Sequence, residues 1–198
     1  MKISFLLSSV VTLITYLSFS QFFIKLTAYL HPIAVVVLLL CLFILVFFVS
    51  LLFQKKKIKV STKLLHYFLI LYSLALLVLL FFRPSDQTYH SINVKPFSTI
   101  FYYLSGEVDF IIAFYNVAAN IGLFVPFGLY MVVLTENKKH LSYYQFSIPI
   151  INISTIEILQ YFTHRGSLDV DDLILNLSGV YLGFLLSPFL KRTIQIIK

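Results

Sequence analysis

Long apolar runs separated by short polar breaks organise this sequence. Six of them fall at about Ile3 to Ile24, Ile33 to Phe53, Leu64 to Phe82, Asp109 to Leu134, Leu141 to Phe162 and Leu173 to Leu190. Each approaches the ~20 apolar residues that a helix needs to cross the hydrocarbon layer. Inside lipid, backbone groups find partners only within a helix or a closed barrel, and the runs lack the period-two alternation of barrel strands. The pattern predicts an all-α, polytopic transmembrane helical bundle of about six spans. Lys2 precedes the first run as in a secretory leader, but the run continues without a small-residue cleavage pattern and reads as an uncleaved helix.

Composition agrees. Of 198 residues, 60% are hydrophobic and 12% charged, and mean hydropathy is +0.94, whereas a soluble domain carries about 25% charge. One bundle accounts for this length, divided into an amino-terminal three-helix region (1–82), a core of long loop plus three helices (83–190) and a basic tail (191–198). The net charge of +7 does not indicate nucleic acid, because the cations occupy short breaks between apolar runs and form no aromatic-interleaved face. They read as topology signals. Eleven fall on one side of the six spans (Lys2; Lys55, Lys56, Lys57, Lys59 and Lys63; Lys138 and Lys139; Lys191, Arg192 and Lys198) and four on the other (Lys25, Arg83, Lys95 and Arg165). Positive loops stay inside, so both termini are predicted to be cytoplasmic. Most acids then lie at the outer face, and only Glu136 is cytoplasmic.

Polar side chains within spans are costly in lipid and mark a bundle interior or a functional site. They are concentrated in the last three runs. Asn116 and Asn120 are four apart on one helical face, and Pro126, which cannot donate to the Gly122 carbonyl, is expected to kink that helix. Helix-to-helix hydrogen bonding is the plain explanation for the two amides. Glu157 and Gln160 share a face near the end of the fifth span. Beyond them come Arg165 and then Asp169-Val170-Asp171-Asp172, with Asn176 four residues further on. Asp169 suits a helix N-cap. Three acids in four residues exceed what a cap needs: either Arg165 pairs with them as a scaffold, or the carboxylates suit a hard divalent cation. Gly179 and Gly183 form a small-xxx-small pair that lets another helix approach.

Other signals are bland. Cys41 lies within an apolar run and reads as a small packed group. His31, His66, His90, His140 and His164 lack ligand spacing, and no metal site is predicted from the sequence. There is no phosphate loop, nucleophile elbow or zinc motif.

Three blocks resemble the VanZ-like family of bacterial membrane proteins, named for teicoplanin resistance. They are Asn93 with Pro96-Phe97 and Thr99-Ile100; Asn120 with Phe124 and Pro126-Phe127-Gly128; and Glu157, Gln160, Arg165, Asp169-Val170-Asp171-Asp172, Asn176, Gly179 and Gly183. The third block is the most specific. Leu168 departs from the pattern, standing where Phe is common, and the first two spans extend beyond the smallest members. The resemblance implies a multi-pass protein of the bacterial cell membrane that lowers access of teicoplanin-type lipoglycopeptides to the outer membrane face. Glu157, Gln160, Arg165, Asp169, Asp171, Asp172 and Asn176 would be its working surface, with Asn120 and Pro126 as the floor. No cofactor is implied, and the expected partners are membrane lipids, lipid-linked cell-wall components or the drugs themselves. The alternative is a membrane-embedded enzyme acting on a lipid-linked or polyprenyl-phosphate substrate, with the aspartates holding a divalent cation and Glu157 as base. A channel would need a polar path below Asn120, and the sequence offers little there beyond Tyr130. A scaffold partnering other proteins through Gly179 and Gly183 is a further class.

Overall fold

The computed structural model describes residues 2–21, 24, 32–81, 91–135 and 141–197. Lys25, His31, Arg83, Asp86, His90, Glu136, Lys138, Lys139, His140 and Lys198 lie outside the described residues, as do the side chains of Lys2 and Cys41. The described chain is an all-α fold, 80% helical with seven helices. Six are long: α1 (Lys2–Ser18), α2 (Pro32–Phe53), α3 (Thr62–Phe81), α5 (Phe110–Thr135), α6 (Leu141–Phe162) and α7 (Val170–Thr193). They stand at the six apolar runs, although α1 stops short of the expected Ile24. Between α3 and α5 lies a short helix, α4 (Ser98–Leu104). By length and composition α3, α5 and α7 are able to cross a membrane.

Two features were not expected from the apolar runs. Four short strands form two-stranded sheets, β1 (Ile58–Ser61) with β4 (Ile194–Ile197) and β2 (Ile92–Asn93) with β3 (Leu168–Asp169). Irregular backbone at helix ends needs partners for its amides, and strand pairing supplies them. The second lies beside Pro126, the residue expected to kink α5, which stands inside that helix. Gly122 loses its usual donor to the proline ring. At the next residue along, the Tyr72 hydroxyl of α3 donates to the Leu123 carbonyl at 2.8 Å.

The chain forms two compact units, residues 1–60 with 188–197, and residues 61–187. In the first, α1 packs on α2 through aromatic edges, with Phe5 5.2 Å from Phe43 and 6.3 Å from Phe47. Ser4 is buried and donates to Gln54 Oε1 at 2.7 Å.

In the second unit a core of Leu76, Leu80, Phe124, Ile153 and Val180 draws on α3, α5, α6 and α7. Of the apolar stretch of α7, 33% is buried, against 11% for α3 and for α5, which makes α7 the central helix of this unit. Glycine brings α5 against it. A Cβ on Gly179 would overlap the Ile121 carbonyl, one on Gly128 the Val180 carbonyl, and one on Gly183 the Val125 carbonyl. The helix that approaches Gly179 and Gly183 is therefore α5, meeting them backbone to backbone, as small residues at crossings permit. Large apolar side chains such as Phe68, Leu71 and Ile151 remain exposed along the helices, a surface that suits lipid better than water.

Candidate functional site

The site gathers at the N-terminal end of α7, where the chain rises from the turn after α6 through β3. β3 pairs in parallel with β2, placing Ile92 opposite Leu168 and Asn93 opposite Asp169, and the Leu168 N–H donates to Ser91 O at 3.1 Å. This register brings the loop before α4 against the acidic run.

Each aspartate then does a different job. Asp169 caps its own helix, its Oδ1 accepting from the Asp171 N–H at 2.9 Å, and it holds the loop as well. Thr99 Oγ1 donates to Asp169 Oδ2 at 2.6 Å. Asn93 Nδ2 reaches Asp169 Oδ1 at 3.1 Å, Ser98 Oγ at 2.8 Å and Thr99 Oγ1 at 3.0 Å.

Asp171 is fully buried and caps a different helix. Its carboxylate accepts from the backbone N–H groups of Phe97 (2.5 Å), Thr99 (2.7 Å) and Ile100 (3.1 Å), the open amides at the start of α4. α4 has no capping side chain of its own, and its N-cap Phe97 sits at φ 66° and ψ 1°, a left-handed conformation. For a bulky residue that conformation costs about 1–2 kcal/mol and persists only where the surroundings fix it. Here a buried charge fixes it, and charge-assisted bonds of this type are the stronger kind.

Asp172, half-buried, turns toward α5, where Asn120 Nδ2 donates to its Oδ1 at 2.7 Å. Asn116, predicted on the same face as Asn120, instead donates to Ile112 O within its own helix. The donors to Asp169 and Asp171 are backbone N–H groups, the Asn93 side-chain amide and the Thr99 hydroxyl. Arg165 is exposed, and its backbone N–H donates to Gln160 O at 2.8 Å.

A second group lies deeper. Gln160, 3% exposed, donates from Nε2 to Leu80 O at 3.1 Å, satisfying a last-turn carbonyl of α3. Buried Gly166 folds over it, its Cα position leaving a Cβ only 3.1 Å from Gln160 Cβ. Asn176 donates to Glu157 Oε1 at 3.1 Å, both side chains buried. Asn176 Oδ1 is buried with no hydrogen-bond partner. Most of the anticipated working surface is thus interior: Glu157, Gln160, Asp169, Asp171 and Asn176 are all buried. Among the described residues, no group of three or more His, Cys, Asp or Glu side chains is placed to hold a metal ion.

What the surface presents instead, beside exposed Lys95 and Ser98, is a row of apolar side chains. Val94, Phe97, Phe101, Tyr102 and Leu104 are exposed along the loop and α4. Sequence reasoning did not single out Phe101, Tyr102 or Leu104, whose types resemble every other apolar position. It also passed over Tyr72, and it named Thr99 in a motif block without a role for its hydroxyl; a threonine just inside a helix start was the one signal available.

The three motif blocks, scattered in the sequence, meet here, and the model of the VanZ/LLP1 family matches residues 68–191. The chain belongs to the VanZ/LLP1 family. Neither a curated protein nor a solved structure matches it. The VanZ match begins within α3 and ends in the last turn of α7, so it takes in every tie of this site. With three helices able to cross a membrane, this is a VanZ-like membrane protein.

Proposed function

We propose that this VanZ-like chain is a multi-pass protein of the bacterial cell membrane that lowers susceptibility to teicoplanin-type lipoglycopeptides. In this reading the working surface is the apolar ridge of α4 and its loop, and the acids beneath it are its mount. The supporting observation is the contrast in exposure: Phe101 is 67% and Leu104 69% exposed, while Asp171 is 0%. The charge bias of the loops puts the ridge at the outer face. At such a face an exposed aromatic such as Tyr102 suits the headgroup level, past which the acyl tail of a lipoglycopeptide would have to enter the membrane. Packing against that tail would keep the drug from its membrane-proximal target, whereas a drug without a tail would pass.

The test compares teicoplanin and vancomycin susceptibility in a sensitive host at equal membrane levels of wild type, Phe101→Ser/Leu104→Ser and Asp171→Asn. Protection against teicoplanin alone is expected from wild type, with loss in both variants. Absence of wild-type protection would overturn the proposal.

A second reading is favoured by one observation, the unpartnered Oδ1 of Asn176 beside Glu157. A buried acceptor without a donor costs about 1–3 kcal/mol, which points to a bound donor. In this reading the chain is an enzyme acting on a lipid-linked or polyprenyl-phosphate substrate, with Glu157 as base and a divalent cation as a further requirement. Glu157→Gln would abolish turnover of a polyprenyl phosphate by the purified chain while leaving its thermal unfolding in place. Equal turnover by wild type and variant would remove Glu157 from the chemistry.

A further inference from the structure

The strand β4 gathers two basic stretches that lie far apart in the sequence. Within the unit of residues 1–60 and 188–197, β4 pairs with β1. Lys55, Lys56, Lys57 and Lys59 lead into and along β1, and Lys191 and Arg192 end α7 directly before β4. All six are exposed. The residues of this unit include no Asp or Glu. The hydrogen bonds of Lys56 Nζ go to neutral acceptors, Gln54 Oε1 at 2.7 Å and Ser4 Oγ at 3.4 Å.

Two ordinary explanations cover part of this. Cations near helix C-termini complement the macrodipole, which accounts for Lys191 and Arg192; Lys55, Lys56, Lys57 and Lys59 lie beyond the last turn of α2. Topology signalling accounts for basic loops, but it needs no sheet to join the loop to the tail. A further detail separates charge from backbone convenience. Lys55 sits at φ 51°, with the Lys56 N–H bonded to Leu51 O at 3.1 Å and the Lys55 N–H to Leu52 O at 3.1 Å. This is the left-handed position after a helix that glycine fills without strain, yet a lysine occupies it.

The chemistry beside the cations identifies the partner. Phe53, Phe189 and Ile197 are exposed next to them, and α7 is a membrane-crossing helix by length and composition, so the patch lies where that helix leaves the lipid. Cations over exposed apolar side chains match a phosphate above acyl chains, with lysine stems running along the apolar surface. We propose that the β1–β4 sheet is a binding site for the phosphate of anionic phospholipid headgroups.

The experiment reconstitutes the full chain in nanodiscs of phosphatidylcholine with a minor fraction of phosphatidylglycerol and identifies retained lipid by native mass spectrometry. Wild type is expected to retain phosphatidylglycerol preferentially. Each lysine removed weakens retention roughly fivefold, the equivalent of ~1 kcal/mol per basic residue near the surface, so Lys56→Gln/Lys57→Gln/Lys59→Gln loses the preference. Truncation after Thr193 keeps all six cations but deletes β4, and it is expected to lose most of the preference too, with an unchanged elution profile. Equal retention of both lipids by wild type would overturn the proposal, as would undiminished preference in the triple variant. An undiminished preference in the truncated chain would overturn the role of the sheet. Displacement by millimolar inorganic phosphate would make this a free-phosphate site and overturn the lipid assignment.

Discussion

In the unit of residues 61–187 the carboxylates of Asp169 and Asp171 are buried, and their donors come from a loop and helix some seventy residues upstream. In the unit of residues 1–60 and 188–197 the charge is all of the other sign, and among the described side chains it is exposed. The difference is physical. A carboxylate accepts several short, directed bonds at once, so it can order a backbone turn from inside. An ammonium on a flexible stem is strongly hydrated and stays outside, where it recognises rather than builds. Buried charge in this chain fixes shape, and the exposed charge of the β1–β4 patch is proposed to select a partner.

Breaking the buried side should have the larger consequences. The greatest loss is expected from Gly179→Leu, because its Cβ meets the Ile121 backbone, which cannot yield as a side chain could. Destabilisation of about 4 kcal/mol or more would appear as lost monodisperse yield and a lowered Tm in detergent. Gly122→Leu sharpens the point, since nothing lies within 4 Å of its Cβ position, and its Tm should stay near wild type. Next comes Asp171→Asn. It keeps the volume but removes the charge and one of the two acceptor oxygens that hold three N–H groups, at about 3 kcal/mol. Limited proteolysis should then cut within residues 94–104 well before the helices. Asn120→Ala, which takes one donor from Asp172, is expected to cost about 1–2 kcal/mol by the same Tm measurement. Lys57→Gln on the exposed side should fall within about 0.5 kcal/mol of wild type. A Lys57 effect as large as that of Asp171 would dissolve the contrast between the units.

The helices can be read from the sequence because lipid imposes a length and a hydropathy that composition displays directly. The residues of the site are legible too, since amides and acids at membrane depth stand out against Leu, Ile and Phe. Their assignments are not. Capping signals in a sequence are local, a side chain serving its own helix; Asp169 follows that rule, and Asp171 does not. It caps a helix whose N-cap lies 74 residues before it, a relation set by the β2–β3 register, and two-residue strands leave no periodicity to detect. Nor does any residue type announce the left-handed Phe97, because only the tertiary contact makes that conformation tolerable. Burial inverts the expected surface for the same reason. Charge suggests exposure until its donors are known, and the donors are backbone groups that no sequence displays.

The distance along the chain between α4 and its cap also sets an order of events during synthesis. Residues 97–100 leave the ribosome 74 residues ahead of the carboxylate that will hold Phe97. At about 5–20 residues per second that interval is roughly 4 to 15 s. For that time the ridge has its side chains but not the carboxylate that satisfies the first amides of α4.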